Sequence, residues 1–76
     1  MATDFEQLQK FLATQVKARR RILGMSQEHL ALTANIDRTY VSQLERAMIN
    51  PSLKVLWRLA LVLESDVASL LRSDKP

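Results

Sequence analysis

No cysteine occurs in this 76-residue chain, and there are only one histidine, one glycine and two prolines. Without cysteine there is no disulfide, no thiol nucleophile and no thiolate-held zinc. His29 has no second ligand at a suitable spacing, so it reads as a surface helix residue, and neither a metal nor a cofactor is expected. So little Gly and Pro leaves scant material for tight turns, which argues against an all-β fold. Long hydrophobic runs are missing too. The most apolar stretch, Leu53 to Leu63, is interrupted by Lys54 and Arg58 and is too short to cross a bilayer. The N-terminus, Met1-Ala2-Thr3-Asp4-Phe5-Glu6, carries acids where a signal peptide needs bases and an apolar run. A cytoplasmic protein with no membrane partner is the expectation.

What is present points to helices. A hydrophobic fraction of 47% excludes a disordered tail, and the abundant Leu, Gln and Arg are good helix formers. The length allows one domain, residues 1–76, with a small core, so idealised helices or oligomerisation must supply stability. A net charge of +3 is a mild basic excess, compatible with nucleic acid.

Helix signals recur along the chain. Thr3 followed by Glu6 fits a capping box. Phe5, Leu8, Phe11, Leu12, Val16, Ile22 and Leu23 then recur at helical spacing, and Gly24 ends this first helix. Lys17, Arg19 and Arg21 read as solvated bases that add a diffuse positive field. Ser26 caps a second helix with Leu30, Ala31 and Ala34 inward, which stops at Asn35-Ile36-Asp37. A third runs from about Arg38 to Ala47 with Val41 and Leu44 inward. Asn50-Pro51-Ser52 breaks the chain and starts a fourth, whose expected core stripe is Leu53, Leu56, Leu59, Ala60 and Leu63. Ser65 or Asp66 caps a short fifth with Val67, Leu70 and Leu71, and residues 72–76 are expected to fray. The fold class is a compact all-α, five-helix domain.

The stretch from Gln27 to Arg46 has helix-turn-helix arithmetic: two short helices, a small residue in the first, and a turn-former between. Ala31 lets the backbones approach, Asn35 turns the chain, Ile36 plugs the junction, and Val41 and Leu44 pin the second helix. Arg38, Thr39, Ser42, Gln43 and Arg46 are left projecting outward, a face able to enter a major groove.

Three linked strings carry a resemblance: Ser26-Gln27-Glu28-His29-Leu30-Ala31, Asp37-Arg38-Thr39-Tyr40-Val41-Ser42-Gln43-Leu44-Glu45-Arg46, and Asn50-Pro51-Ser52-Leu53. Over about residues 11–71 the chain resembles the Cro/phage-repressor (XRE-type) helix-turn-helix family, whose fold is lambda-repressor-like. Its size and Asp-Arg-Thr-Tyr-Val-Ser look most like controller proteins of restriction–modification systems. The resemblance implies a bacterial, phage or plasmid gene and a double-stranded DNA operator as partner. It implies that Arg38, Thr39, Gln43 and Tyr40 contact bases, and that Gln27, Ser42, Arg46 and Asn50 contact phosphates. Arg20 and Glu45 match the positions of a buried ion pair. In three places the chain departs from the family pattern: Asn35, Ala47 and Glu64 stand where glycine is usual. The first ten residues also lengthen helix one beyond the family minimum.

The fourth helix is more apolar than one buried face requires, since Val55, Trp57, Leu61 and Val62 accompany the core stripe. A second apolar face shared with another copy of the chain explains this, so residues 53–71 are expected to form a homodimer interface through Val55, Trp57, Leu61, Val62, Val67 and Leu70. A two-fold axis would set two recognition helices about one DNA turn apart on a near-palindromic site.

The resulting expectation is a dimeric, sequence-specific regulator that represses or activates transcription, including its own operon, with RNA polymerase as a further candidate partner. Two alternatives stand beside it: an antitoxin or other small XRE repressor, and a helical interaction module without DNA binding. Enzyme activity is not expected, because there is no nucleophile paired with a base, no phosphate loop, no room for a substrate cleft and no evident small-molecule ligand.

Overall fold

Each helix begins at a short polar side chain that accepts a hydrogen bond from an otherwise orphaned backbone N–H. The computed structural model describes residues 4–72. In chain order the helices are α1 (Phe5–Ile22), α2 (Gln27–Ala34), α3 (Arg38–Glu45), α4 (Leu53–Val62) and α5 (Val67–Leu71). Ser26 accepts from the His29 N–H at 2.9 Å, Asp37 from Thr39 at 2.7 Å, Ser52 from Val55 at 3.1 Å and Asp66 from Ser69 at 2.8 Å. The backbone and hydroxyl of Ser69 hold the exposed Asp66 carboxyl below its ordinary pKa.

At the first helix the expectation changes. Thr3 lies outside the described residues, and the cap is Asp4, whose carboxylate accepts from the Glu6 N–H at 3.1 Å. The fifth helix takes Asp66 rather than Ser65 as its cap.

The chain leaves four of the helices through a left-handed residue: Gly24, Asn35, Ala47 and Glu64, with φ of 71°, 60°, 58° and 56°. Each corner repeats one pairing. At the first, Gly24 N–H bonds Arg21 O and Met25 N–H bonds Arg20 O; at the third, Ala47 N–H bonds Leu44 O and Met48 N–H bonds Gln43 O. These are Schellman closures, which satisfy the last carbonyls of the helix. The three non-glycine positions therefore keep the left-handed geometry that glycine would supply. The recognition helix itself is shorter than expected, ending at Glu45 rather than Ala47.

The helices close on one aliphatic cluster: Leu12 and Val16 of α1, Leu30, Ala31 and Ala34 of α2, Val41 and Leu44 of α3, Leu56, Leu59 and Ala60 of α4, Leu63, and Leu70 of α5. Burying each large side chain contributes about 1.5–3 kcal/mol before ordering entropy is counted. Four expected positions differ. Phe5, in the first turn of α1, is 58% exposed. Ile22 is 70% exposed at the last turn of α1, on the side turned away from the face that carries Val16, Arg20 and Leu23. Leu53 is 71% exposed, because the core stripe of α4 starts at Leu56. Leu70, expected at a dimer interface, is 1% exposed and belongs to the protomer's own core. Among the described residues no helix is long and apolar enough to cross a membrane.

Candidate nucleic-acid interface

The helix-turn-helix is locked from behind by one ion pair. Arg20 of α1 faces Glu45 at the end of α3 with both forks engaged: Nε to Oε2 at 2.6 Å and Nη2 to Oε1 at 2.9 Å. Its third nitrogen, Nη1, donates to the Met25 carbonyl at 2.8 Å, and Gln27 Nε2 donates to Glu45 Oε1 at 3.0 Å. Both charged residues are buried. No buried side-chain nitrogen or oxygen among the described residues lacks a hydrogen-bond partner. Burial pushes the Glu45 carboxyl up, but hydrogen bonds from Arg20 and Gln27, with the charges of Arg20 and Lys17, outweigh it and hold the carboxyl below its ordinary range. The bond to Glu45 raises the Arg20 guanidinium further. One network thus ties α1, the start of α2 and the end of α3 together.

The other side of α3 faces out. Arg38 and Thr39 are exposed at its first turn, Tyr40, Ser42 and Gln43 are half-buried, and Arg46 is exposed just beyond it. Gln27, Arg38, Thr39 and Ser42 line one shallow polar notch of about 220 Å³ where α2 starts beside α3. The notch joins Gln27 to residues eleven or more positions later in sequence, and it holds donors of the kind that phosphates and base edges accept. Gln27 has a double position. One N–H of its amide is committed to Glu45, so the notch is built directly on the buried ion pair. Asn50 does not line this notch; it sits in the loop after α3, where its Oδ1 accepts from Gln9 Nε2 at 2.7 Å.

Two contributors were not legible as such in the sequence. Arg19, read as a solvated base, donates from Nη2 to the carbonyls of Leu63 at 2.8 Å and Glu64 at 3.3 Å, clasping the end of α4. Gln9 donates to the Ile49 carbonyl at 3.2 Å as well as to Asn50, so the lengthened start of α1 holds the loop that follows the recognition helix. Phe5, Leu8 and Leu12 back this contact across a small apolar groove from Pro51, Leu56 and Leu71.

Away from the notch, α4 presents a different surface. Leu53, Trp57 and Leu61 are 71%, 53% and 60% exposed, and their spacing of four residues aligns them in one ridge. Val55, Val62 and Val67 are partly buried against the core at its flanks.

Comparison with known proteins agrees with this geometry. Residues 16–70 match the helix-turn-helix family. The control protein C.SmaI of Serratia marcescens is 37% identical over 67 residues, covering 88% of this chain and 80% of that one. The crystal structure of a hypothetical transcription factor, NHTF from Neisseria, superposes with a TM-score of 0.83 at 37% identity, covering 95% of this chain and 83% of that one. The restriction–modification controller protein C.AhdI from Aeromonas hydrophila gives 0.79 at 32% identity, covering 82% and 94%. The family and these relatives are regulators rather than enzymes, and with a capped helix pair, a polar outer face and a buried Arg–Glu lock the chain belongs to the Cro/phage-repressor (XRE-type) helix-turn-helix family of DNA-binding transcription regulators, close to restriction–modification controller proteins.

Proposed function

We propose that the chain binds a near-palindromic operator as a homodimer and acts as the controller protein of a restriction–modification system, regulating its own operon. The polar notch shared by Gln27, Arg38, Thr39 and Ser42 carries this reading. Arg38 and Thr39 reach base edges from the first turn of α3, with Gln43 and Tyr40 further along the helix. Gln27, Ser42, Arg46 and Asn50 hold the sugar–phosphate backbone, where the N-terminus of α2 also favours an anion. The ridge of Leu53, Trp57 and Leu61, flanked by Val55, Val62 and Val67, packs against its counterpart in a second copy. Leu53 thereby replaces Leu70 in the expected interface. Occupancy of the operator blocks or recruits RNA polymerase according to where the site lies.

The test is fluorescence anisotropy with the duplex upstream of the chain's own gene and a scrambled duplex, over a salt series, with sedimentation of the free and bound protein. The expected result is selective binding by two protomers per site, weakening steeply with salt. A monomer on the DNA, or equal affinity for both duplexes, overturns the operator reading.

A further inference from the structure

The lengthened N-terminus of α1 bears on how the loop after α3 meets DNA. Gln9 Nε2 lies 3.2 Å from the Ile49 carbonyl oxygen and 2.7 Å from Asn50 Oδ1. A backbone carbonyl only accepts, so the end of Gln9 that faces Ile49 is its NH₂ group. The same nitrogen then requires an acceptor at Asn50, which fixes the Asn50 amide with its oxygen turned to Gln9 and its NH₂ turned away. Both amide hydrogens of Gln9 are used, one for each acceptor. Asn50 is exposed, while Gln9 is half-buried beside the apolar groove that Leu8 and Leu12 form with Pro51 and Leu56. The orienting residue is thus anchored and the oriented one faces solvent.

We infer that Gln9 is a positioning residue for DNA binding: it holds the Asn50 amide so that two N–H donors, and not the carbonyl oxygen, face a backbone phosphate. This rests on Asn50 lying against the DNA backbone, as the proposed function has it. A phosphate accepts and does not donate, so a flipped Asn50 would set oxygen against oxygen. Gln9→Glu favours that flip, because a carboxylate at position 9 accepts where glutamine donates; it also gives up the bond to the Ile49 carbonyl, a loss that Gln9→Ala shares.

The experiment uses the full chain and a duplex that the unaltered protein selects from a random-sequence pool, with affinity read over a salt series. Gln7→Glu adds the same charge to the exposed surface of α1 two residues away and serves as the charge control. Gln9→Glu is expected to bind about tenfold more weakly than Gln7→Glu, the loss of one hydrogen bond to a charged group. That ratio should stay constant as salt rises, since a neutral amide releases no counterion, whereas charge repulsion fades. In an Asn50→Ala background the tenfold gap between the two variants should close to what the lost Ile49 bond alone costs, the deficit that Gln9→Ala shows in that background. Gln9→Ala, which leaves the Asn50 amide free to rotate, should fall between Gln9→Glu and the unaltered chain. Equal binding of the two charge variants with Asn50 intact, or a Gln9→Glu deficit that survives Asn50→Ala undiminished, overturns the inference. If the unaltered chain selects no duplex, the DNA-binding reading fails first and this one falls with it.

Discussion

Helices α3 and α4 are built alike and face the world differently. Each starts at a short polar cap, carries an aliphatic inner stripe and leaves through a non-glycine residue with positive φ, Ala47 or Glu64. Their inner faces are interchangeable in kind: Val41 and Leu44 in one, Leu56, Leu59 and Ala60 in the other. Their outer faces are not. The outer face of α3 is Arg38, Thr39, Ser42 and Gln43, and the exposed ridge on α4 is Leu53, Trp57 and Leu61. Packing constrains only the inner stripe, so the outer stripe is where a helix of this size records its partner. A row of donors suits phosphates and base edges; an apolar ridge suits another protein surface.

The largest expected effect breaks the comparison from the α3 side. Glu45→Gln leaves Arg20 buried beside a neutral amide, and breaking a buried pair costs about 3–5 kcal/mol. That is a large share of the roughly 4–11 kcal/mol that a domain of this size has in total. Urea unfolding followed by circular dichroism should show it; a change in DNA preference at unaltered stability would remove the pair from its structural role. The same pair sets a pH dependence. Glu45 is held below the ordinary glutamate value of 4.5 in the folded chain. Its unfolded state therefore binds the proton more readily, so the contribution is fully present above about pH 4.5 and is lost as pH falls through the lower folded value. An acid titration of the unaltered chain should lose this component, and the Glu45→Gln chain should lack it.

Trp57→Glu tests the α4 face. Trp57 is half exposed in the protomer, so the fold should survive, while a central aromatic contact between protomers contributes about 2 kcal/mol or more. Self-association should weaken by about thirtyfold or more in sedimentation equilibrium. A persistent dimer with unaltered affinity would place the interface elsewhere. Arg38→Ala tests the α3 face on a smaller scale. Loss of a bidentate contact to guanine costs about 1–3 kcal/mol of discrimination at one base pair. Binding to a panel of single-base operator variants should become indifferent at that position, and a retained preference would take Arg38 out of base reading.

Much of this was legible in the residues because caps and stripes are local. Ser26, Asp37 and Ser52 announce their helices, and the spacing of Leu56, Leu59, Ala60 and Leu63 names the inner face of α4. Roles that depend on a distant backbone were not legible. Arg19, Arg20 and Arg21 are three consecutive bases of one kind. Each step along a helix turns the side chain by about 100°, so they meet three environments. Arg19 clasps the carbonyls of Leu63 and Glu64, Arg20 enters the core beside Glu45, and Arg21 stays exposed. Only the arrangement of α4 and α3 around α1 separates them. The Arg20–Glu45 pair was found because its partners sit at matching positions of a family, whereas Arg19 bonds main-chain atoms, which leave no mark on residue identity. Leu53 misled for a related reason. It continues the hydrophobic period of α4, but it lies on the side of Trp57 and Leu61, turned away from the core that Leu56 of the same turn enters.

The smallest expected effect sharpens the likeness between α3 and α4 rather than their difference. Both end at a left-handed corner without glycine, and an L-residue there carries a steric cost of about 1–2 kcal/mol, partly offset because glycine loses more freedom on folding. Ala47→Gly and Glu64→Gly should therefore each stabilise the fold by about 0.5–1 kcal/mol, raising the thermal midpoint by roughly 2–8 °C. Asn35→Gly should gain less, since asparagine tolerates this region. The clasp from Arg19 survives Glu64→Gly, because it holds the main-chain oxygen of residue 64. Gly24→Ala is the converse: a Cβ there would meet no atom within 4 Å, so only the backbone cost at φ +71° remains, and stability should fall by a similar amount. The two corners share no hydrogen-bond partner, so the two gains should add in the double variant. If neither glycine variant gains, the side chains of Ala47 and Glu64 must repay their backbone strain through contacts of their own. The corners would then be part of what distinguishes the two helices, not part of what they share.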